Sequence, residues 1–226
     1  MRFIAGQQAR ELKAFLRRSL KGPVAMHLWV RQRFSPSQQV LEELTRLSPR
    51  MSLEISTVGP DEEAAHPQLP ELTVEGSGRG TLRFVGPFSG PELKILLQEL
   101  SEVSAGWSSL PPFARRALRR LGRKVHLRVF VGAGCPFCPA AARLAHQMAL
   151  ESEAVTADVV DVASFPALAS QFGVRVVPTT IINDEVSLPG VQTAAQLLLV
   201  FRILGMRMGS HPRKGWRHVA EPRVTP

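Results

Sequence analysis

The sequence predicts an α/β protein made of two tandem units, each a central mixed β-sheet flanked by helices. Three observations carry that prediction. An alternating apolar strand leads into an apolar-striped helix after Val24–Val30 and again after Val125–Val131, and a change of period from 2 to 3.6 marks a strand-to-helix junction. The two junctions, at Ser35 and Cys135, lie 100 residues apart and are followed by the same order of elements. At 226 residues the chain has room for two units, each of about a hundred residues and each able to bury its own core without disulfide staples.

In chain order, a helix from Ala9 to Leu20 is expected first, with Leu12, Phe15, Leu16 and Leu20 on one face. The strand Val24–Val30 then leads to Ser35-Pro36-Ser37-Gln38 and to a helix whose apolar face is Val40, Leu41, Leu44 and Leu47. Met51 to Thr57 reads as a second strand. Pro70 opens an extended segment, Glu71-Leu72-Thr73-Val74, which turns through Gly76 to Gly80 into a partner strand ending at Gly86. Ser89-Gly90-Pro91-Glu92 has capping-box spacing ahead of Leu93, Leu96, Leu97 and Leu100. A connector helix from Pro112 to Leu121 stops at Gly122.

The second unit repeats this layout. Val125, Leu127, Val129 and Val131 share one face of its first strand, and Gly132-Ala133-Gly134 leads to Cys135-Pro136-Phe137-Cys138 and a helix. Ala154 to Val160 is the second strand, Pro178 opens a hairpin that turns at Asn183-Asp184 and ends at Gly190, and a helix from Thr193 to Leu204 closes the unit. Strand, helix, strand, hairpin, helix gives a parallel pair joined by a crossover helix plus an antiparallel hairpin, which is a mixed sheet. The expected division is a first unit at 1–108, a second at 109–206 and a basic flexible tail at 207–226.

The first ten residues hold no uninterrupted apolar stretch of signal-peptide length, so a cytoplasmic location is expected. The most apolar segment, Ala194 to Leu204, is interrupted by Arg202 and falls far short of the ~20 residues of a membrane span. The net charge of +9 invites a nucleic-acid reading, but its placement argues against one. Residues 115–124 contribute +6 and residues 202–226 contribute +5, so the rest of the chain is slightly acidic. Arg115, Arg116, Arg119, Arg120 and Arg123 fall at helical spacing opposite Ala114, Ala117, Leu118 and Leu121, the pattern of a solvated helix face. Neither nucleic acid nor a membrane is expected as a partner.

Cys135 and Cys138 are the two cysteines of the chain. Disulfide exchange needs one thiolate to attack and a second thiol to resolve the mixed disulfide, and Cys-X-X-Cys at a strand-to-helix junction supplies both. Cys135 at the helix start faces unpaired N–H groups and the positive helix end, so its thiol is expected to ionise below the ordinary ~8.5. Pro136 suits a first helical turn. Three other readings stay open: a zinc site completed by His126, His146 or another chain, a permanent structural disulfide, and a pair of inert thiols. His126 and His146 themselves read as structural or surface residues. Pro178, after Val176-Val177, reads as a strand-opening proline.

Gly134-Cys135-Pro136-Phe137-Cys138, with Val177-Pro178-Thr179 about forty residues on, resembles the thioredoxin and glutaredoxin superfamily. The resemblance implies a dithiol–disulfide oxidoreductase with Cys135 as nucleophile and Cys138 as resolving thiol. It also implies a cis Pro178 facing the disulfide, and a substrate surface of Pro136, Phe137, Val177 and Pro178. No cofactor beyond the redox-active Cys135–Cys138 disulfide is implied. The Pro-Phe dipeptide is nearer to glutaredoxins, yet their glycine pair after the hairpin is Pro189-Gly190 here, and the buried acid of thioredoxins is Val129.

Across residues 9 to 204 the element order is similar to tandem-domain members: archaeal-type protein disulfide oxidoreductases and the amino-terminal part of the alkyl hydroperoxide reductase flavoprotein subunit. Leu82-Arg83-Phe84-Val85-Gly86-Pro87-Phe88-Ser89-Gly90-Pro91-Glu92-Leu93 carries that likeness in the first unit. Ser35 and Gln38 stand where that unit's cysteines belong, so it is expected to be redox-silent. The partners implied are a disulfide-containing protein substrate, a peroxiredoxin among the candidates, and a separate upstream reductase. The alternative is a non-catalytic thioredoxin-fold interaction module.

Overall fold

The computed structural model describes residue 4 and residues 6–32, 35–59, 66, 68–88 and 91–207. The first half holds α1 (Gly6–Ser19), β1 (Val24–Val30), α2 (Pro36–Thr45), β2 (Met51–Thr57), β3 (Glu71–Glu75), β4 (Leu82–Val85) and α3 (Pro91–Ala105). The second holds α4 (Pro112–Arg119), β5 (Val125–Val131), α5 (Cys138–Glu151), β6 (Val155–Asp161), α6 (Pro166–Gln171), β7 (Thr179–Ile182), β8 (Val186–Pro189) and α7 (Ala194–Arg207). The expected strands are all present. The expected Ser89-Gly90 half of the α3 capping box, and the tail from residue 208 on, lie outside the described residues.

Each half forms the same four-stranded mixed arrangement. β1 pairs parallel with β2 and antiparallel with β3, and β5 pairs parallel with β6 and antiparallel with β7. The halves then join edge to edge. Residues 82–85 of β4 pair parallel with residues 157–160 of β6, giving one eight-stranded sheet in the order β2-β1-β3-β4-β6-β5-β7-β8. The alternating residues Met26, Leu28, Val30, Leu72, Val74, Leu82, Phe84, Leu127 and Val129 are buried in one shared core beneath the helices. Burying the apolar face of both halves of the sheet in that one core is the main stabilising contribution.

On the opposite face a charged row crosses four strands. Arg83 of β4 lies 3.1 Å from Glu71 of β3 and 3.3 Å from Asp158 of β6, and Asp158 is 2.7 Å from His126 Nε2 on β5. Burial opposes ionisation of Asp158, but the Arg83 guanidinium, then His126 and Arg128, outweigh it and hold the carboxyl well below the usual carboxylate range. Beneath the sheet the halves meet at His146 of α5, whose Nδ1 is 2.8 Å from Glu99 of α3 and whose Nε2 donates to the Arg83 carbonyl at 3.1 Å. Its ring packs edge-on to Phe84 at 4.7 Å between centroids. Both histidines are thus structural, as their positions suggested.

Several boundaries moved. α1 begins at Gly6 and buries Leu16; Leu20, just past its end, is buried as well, while Phe15, expected on the apolar face, stays 36% exposed. α4 buries Ala114 and Leu118 and turns Arg116 and Arg120 to solvent, and Arg119 bonds Glu151 at 2.9 Å. α6 is an element that the sequence pattern did not reveal. At six residues it is too short for a periodic signal, and it covers Phe130, Val160 and Ile181 on the second unit's far face.

Because Asp158 is a buried ion held in place by partly buried cationic partners, Asp158→Asn is expected to cost about 3–5 kcal/mol at neutral pH, measured by urea unfolding. Its folded pKa is depressed, so this stability is present above the unfolded value of about 3.9 and fades as the pH falls below it. The urea midpoints of parent and variant should therefore converge in acid.

Candidate redox site

β5 ends at Val131, and the chain turns through Gly132-Ala133-Gly134 before Cys135. Gly134 has φ +73°, a left-handed conformation that a side chain disfavours, so glycine is required to aim Cys135 at the helix start. Cys135 and Cys138 are joined as a disulfide with Cα atoms 5.5 Å apart. Cys135 is half-buried, whereas Cys138 is 1% exposed.

α5 begins at Cys138, with Phe137 as its N-cap residue and Pro139, not Pro136, in its first turn. Cys135 therefore sits just ahead of the helix. The Cys138 amide N–H donates to Cys135 Sγ at 3.1 Å, so the sulfur takes the position of a capping acceptor. In the reduced protein that same donor and the positive end of α5 favour a thiolate at Cys135.

Pro178 opens β7 through a cis Val177–Pro178 peptide bond. Its carbonyl accepts the Gly190 N–H at 2.7 Å, and Thr179 Oγ1 donates to the Val176 carbonyl at 2.7 Å, which ties this loop to both ends of the hairpin. A Cβ on Gly132 would come within 3.5 Å of Val177 Cγ2, so the turn before Cys135 and the turn before Pro178 pack directly on each other. Pro178 is buried, Val177 is half-buried, and Phe137 and Val176 are 64% and 57% exposed.

Of the residues singled out from the sequence, Cys135, Cys138, Pro136, Phe137, Val177 and Pro178 lie at one end of the sheet, after β5 and before β7. Val176 and Val191 were missed. Both are exposed apolar residues, next in sequence to Val177–Pro178 and to Gly190, and that position was their only signal. A cleft of about 510 Å³ opens beside Pro136 and Pro139, lined on its other side by Lys94 and Gln98 of α3.

Val129 is fully buried and offers no carboxyl beneath the cysteines. The acids at this end of the sheet are Asp161, in register with Val131, and Glu92 in the first turn of α3. Burial, with Asp161 adding to it, pushes the Glu92 carboxyl up. Among the described residues no group of three His, Cys, Asp or Glu could hold a metal ion, and His126 and His146, the sequence's zinc candidates, are engaged by Asp158 and Glu99.

A Cys-X-X-Cys disulfide just ahead of a helix, in the same mixed sheet as a strand opened by a cis-proline, defines a dithiol–disulfide oxidoreductase. Residues 125–201 match the family model described as a thioredoxin domain. The thioredoxin of Methanocaldococcus jannaschii is 36% identical over 76 residues, which are 33% of this chain and 89% of that protein. The chain belongs to the thioredoxin family. Its two-unit architecture is similar to a protein disulfide oxidoreductase from Aeropyrum pernix, at TM-score 0.76 and 22% identity over 88% of this chain and 92% of that one. It is likewise similar to the alkylhydroperoxide reductase AhpF from Enterococcus faecalis, at TM-score 0.73 and 21% identity over 85% and 96% of the two chains.

The difference in exposure between the sulfurs predicts a selective modification. In the reduced protein at neutral pH, limiting iodoacetamide should alkylate Cys135 and leave Cys138 free, as read by peptide mass mapping. Preferential labelling of Cys138 would contradict the geometry.

Proposed function

We propose that Cys135 is the attacking thiol and Cys138 the resolving thiol of a protein-disulfide reductase or isomerase. The observation that carries this assignment is the Cys138 N–H donated to Cys135 Sγ, with Cys135 half-buried and Cys138 enclosed. The Cys135 thiolate attacks one sulfur of a substrate disulfide, the other substrate sulfur leaves as a thiolate and takes a proton from solvent, and a mixed disulfide results. Deprotonated Cys138 then attacks Cys135 Sγ and releases the second substrate thiol. The product is the Cys135–Cys138 disulfide, which needs two electrons and two protons from a separate dithiol reductase before the next turn.

An extended stretch of substrate is received along Val177–Pro178, with Pro136 and Phe137 on its other side. Protein disulfides are the substrate class. The architectural likeness to the alkylhydroperoxide reductase AhpF extends the reading to a peroxiredoxin disulfide. No described helix is long and apolar enough to cross a membrane, and we place the activity in the reducing cytoplasm. We divide the chain at 108/109 into a redox-silent first unit and an active second one, followed by a basic tail.

Cys135→Ser should abolish the protein's acceleration of insulin reduction by dithiothreitol, and Ser35→Ala should leave it within about twofold, because a hydroxyl cannot enter thiol–disulfide exchange. Cys138→Ser should accumulate a substrate adduct on a non-reducing gel that dissolves with dithiothreitol. No acceleration by the parent protein would refute the enzymatic assignment, and adducts formed by Cys135→Ser instead of Cys138→Ser would reverse the two roles.

A further inference from the structure

The first unit lacks cysteines but keeps the rest of the site's framework. Ser35 caps α2 by accepting the Gln38 N–H at 3.2 Å, the same i to i+3 contact that Cys135 makes with Cys138 at 3.1 Å. Leu69–Pro70 is the chain's other described cis peptide bond, at the start of β3 as Val177–Pro178 is at the start of β7. The Pro70 carbonyl accepts the Gly86 N–H at 2.9 Å, matching Pro178 and Gly190 at 2.7 Å, and both glycines have positive φ.

Among the described residues, no hydrogen bond engages the backbone N–H or C=O of Leu69, nor those of Val177. Leu69 is half-buried, and backbone polar groups in such a place ordinarily find partners. Leu69 and Val177 lie just ahead of β3 and β7, past the ends of the neighbouring strands β1 and β5, where unpaired N–H and C=O groups can pair with a further extended chain.

The two places also lie at the same end of the sheet. β1 and β5 both run parallel to their neighbours β2 and β6, and β4 is parallel to β6, so the ends of β1 and β5 and the starts of β3 and β7 all lie at one end of the sheet. Four strand spacings separate β3 from β7, or about 19 Å at ~4.8 Å each. Twist rotates one place relative to the other by roughly 80–100°, so a connecting segment must curve, and about six or more residues at ~3.3 Å each suffice to span the gap.

We propose that the cysteine-free unit is a second, non-covalent docking site, at which Leu69 N–H and C=O pair with an extended segment of the same disulfide-bearing polypeptide whose sulfur is attacked at Cys135. This rests on the reading that Val177–Pro178 receives substrate. Occupation of one place raises the effective concentration at the other, so long, unfolded chains are favoured over short ones. The selectivity is for extended main chain of sufficient length, and it uses no side-chain code.

The test uses two unstructured peptides of 5 and 20 residues, each with one terminal cysteine blocked as a mixed disulfide with thionitrobenzoate, in both chain polarities. In the parent protein the 20-residue peptide should show about fivefold to tenfold higher kcat/KM through a lower KM, the worth of one or two backbone hydrogen bonds. Leu69→Pro, which removes the N–H, should bring that ratio towards one. If neither peptide is reduced faster than by dithiothreitol alone, the oxidoreductase assignment fails. If both are reduced equally well by the parent, the second site alone is refuted.

A measurement on the unaltered chain guards against a folding defect in the variant. Carboxymethylated insulin B chain bearing a photoreactive group should crosslink to residues 68–70 or 86–88 as well as to residues 176–178. Crosslinks confined to the second unit would overturn the proposal whatever the variant does.

Discussion

The parallel pairing of β4 with β6 has to satisfy two polar layers at once, and the rest of the molecule is built around how it does so. On one face Arg83 and Asp158 meet across the seam, flanked by Glu71 and His126, so each buried charge has an opposite neighbour. On the other, the Arg83 carbonyl can only accept, which forces His146 Nε2 to be the protonated nitrogen. The contact of Nδ1 with Glu99 ties α5 to α3 across the seam. The pair is buried against Phe84, so each side chain is the other's nearest polar partner. Remove the seam and each half would expose a strand edge, a hazard for pairing with other chains.

Joining the halves in parallel also fixes where chemistry can occur. With β1, β4, β5 and β6 all pointing one way, every loop that follows them opens at the same end of the sheet. The redox site is assembled there from the turn after β5, the start of α5 and the turn before β7. Gly132 against Val177 is the contact that brings the last of these into line. Linker residues are fixed to the same scaffold: Ser108 N–H and Oγ donate to Glu151, and Arg143 and Gln147 reach Glu102 from α5. Burial works against ionisation of both glutamates, and these donors outweigh it, holding their carboxyls below the usual range. The helix carrying Cys138 is therefore clamped to α3 of the first unit, which gives the cysteine-free half a mechanical role at the least.

Much of this was legible in one sequence because the signals are local. Alternation at Val24–Val30 and Val125–Val131 and the spacing of Cys135 and Cys138 each depend on neighbours a few residues away. The parallel pair and the antiparallel hairpin of each half followed from the element order. Less legible was α6, six residues long and without a periodic stripe, and the helix start at Cys138, since Pro136 and Pro139 are equally good first-turn residues by sequence.

What the sequence determined by itself was the element order, the duplicated layout and the thiol pair, because periodicity, capping and reactive residue type are properties of short segments. Only the tertiary structure decided that the halves share one sheet, that Leu69–Pro70 is cis as well as Val177–Pro178, that His146 and Glu99 meet across the seam, and that Gly132 packs against Val177. Each of these depends on residues tens of positions apart being brought to within a few ångströms. No local pattern encodes such a meeting; it is set by which faces and edges must be buried together when the whole chain packs.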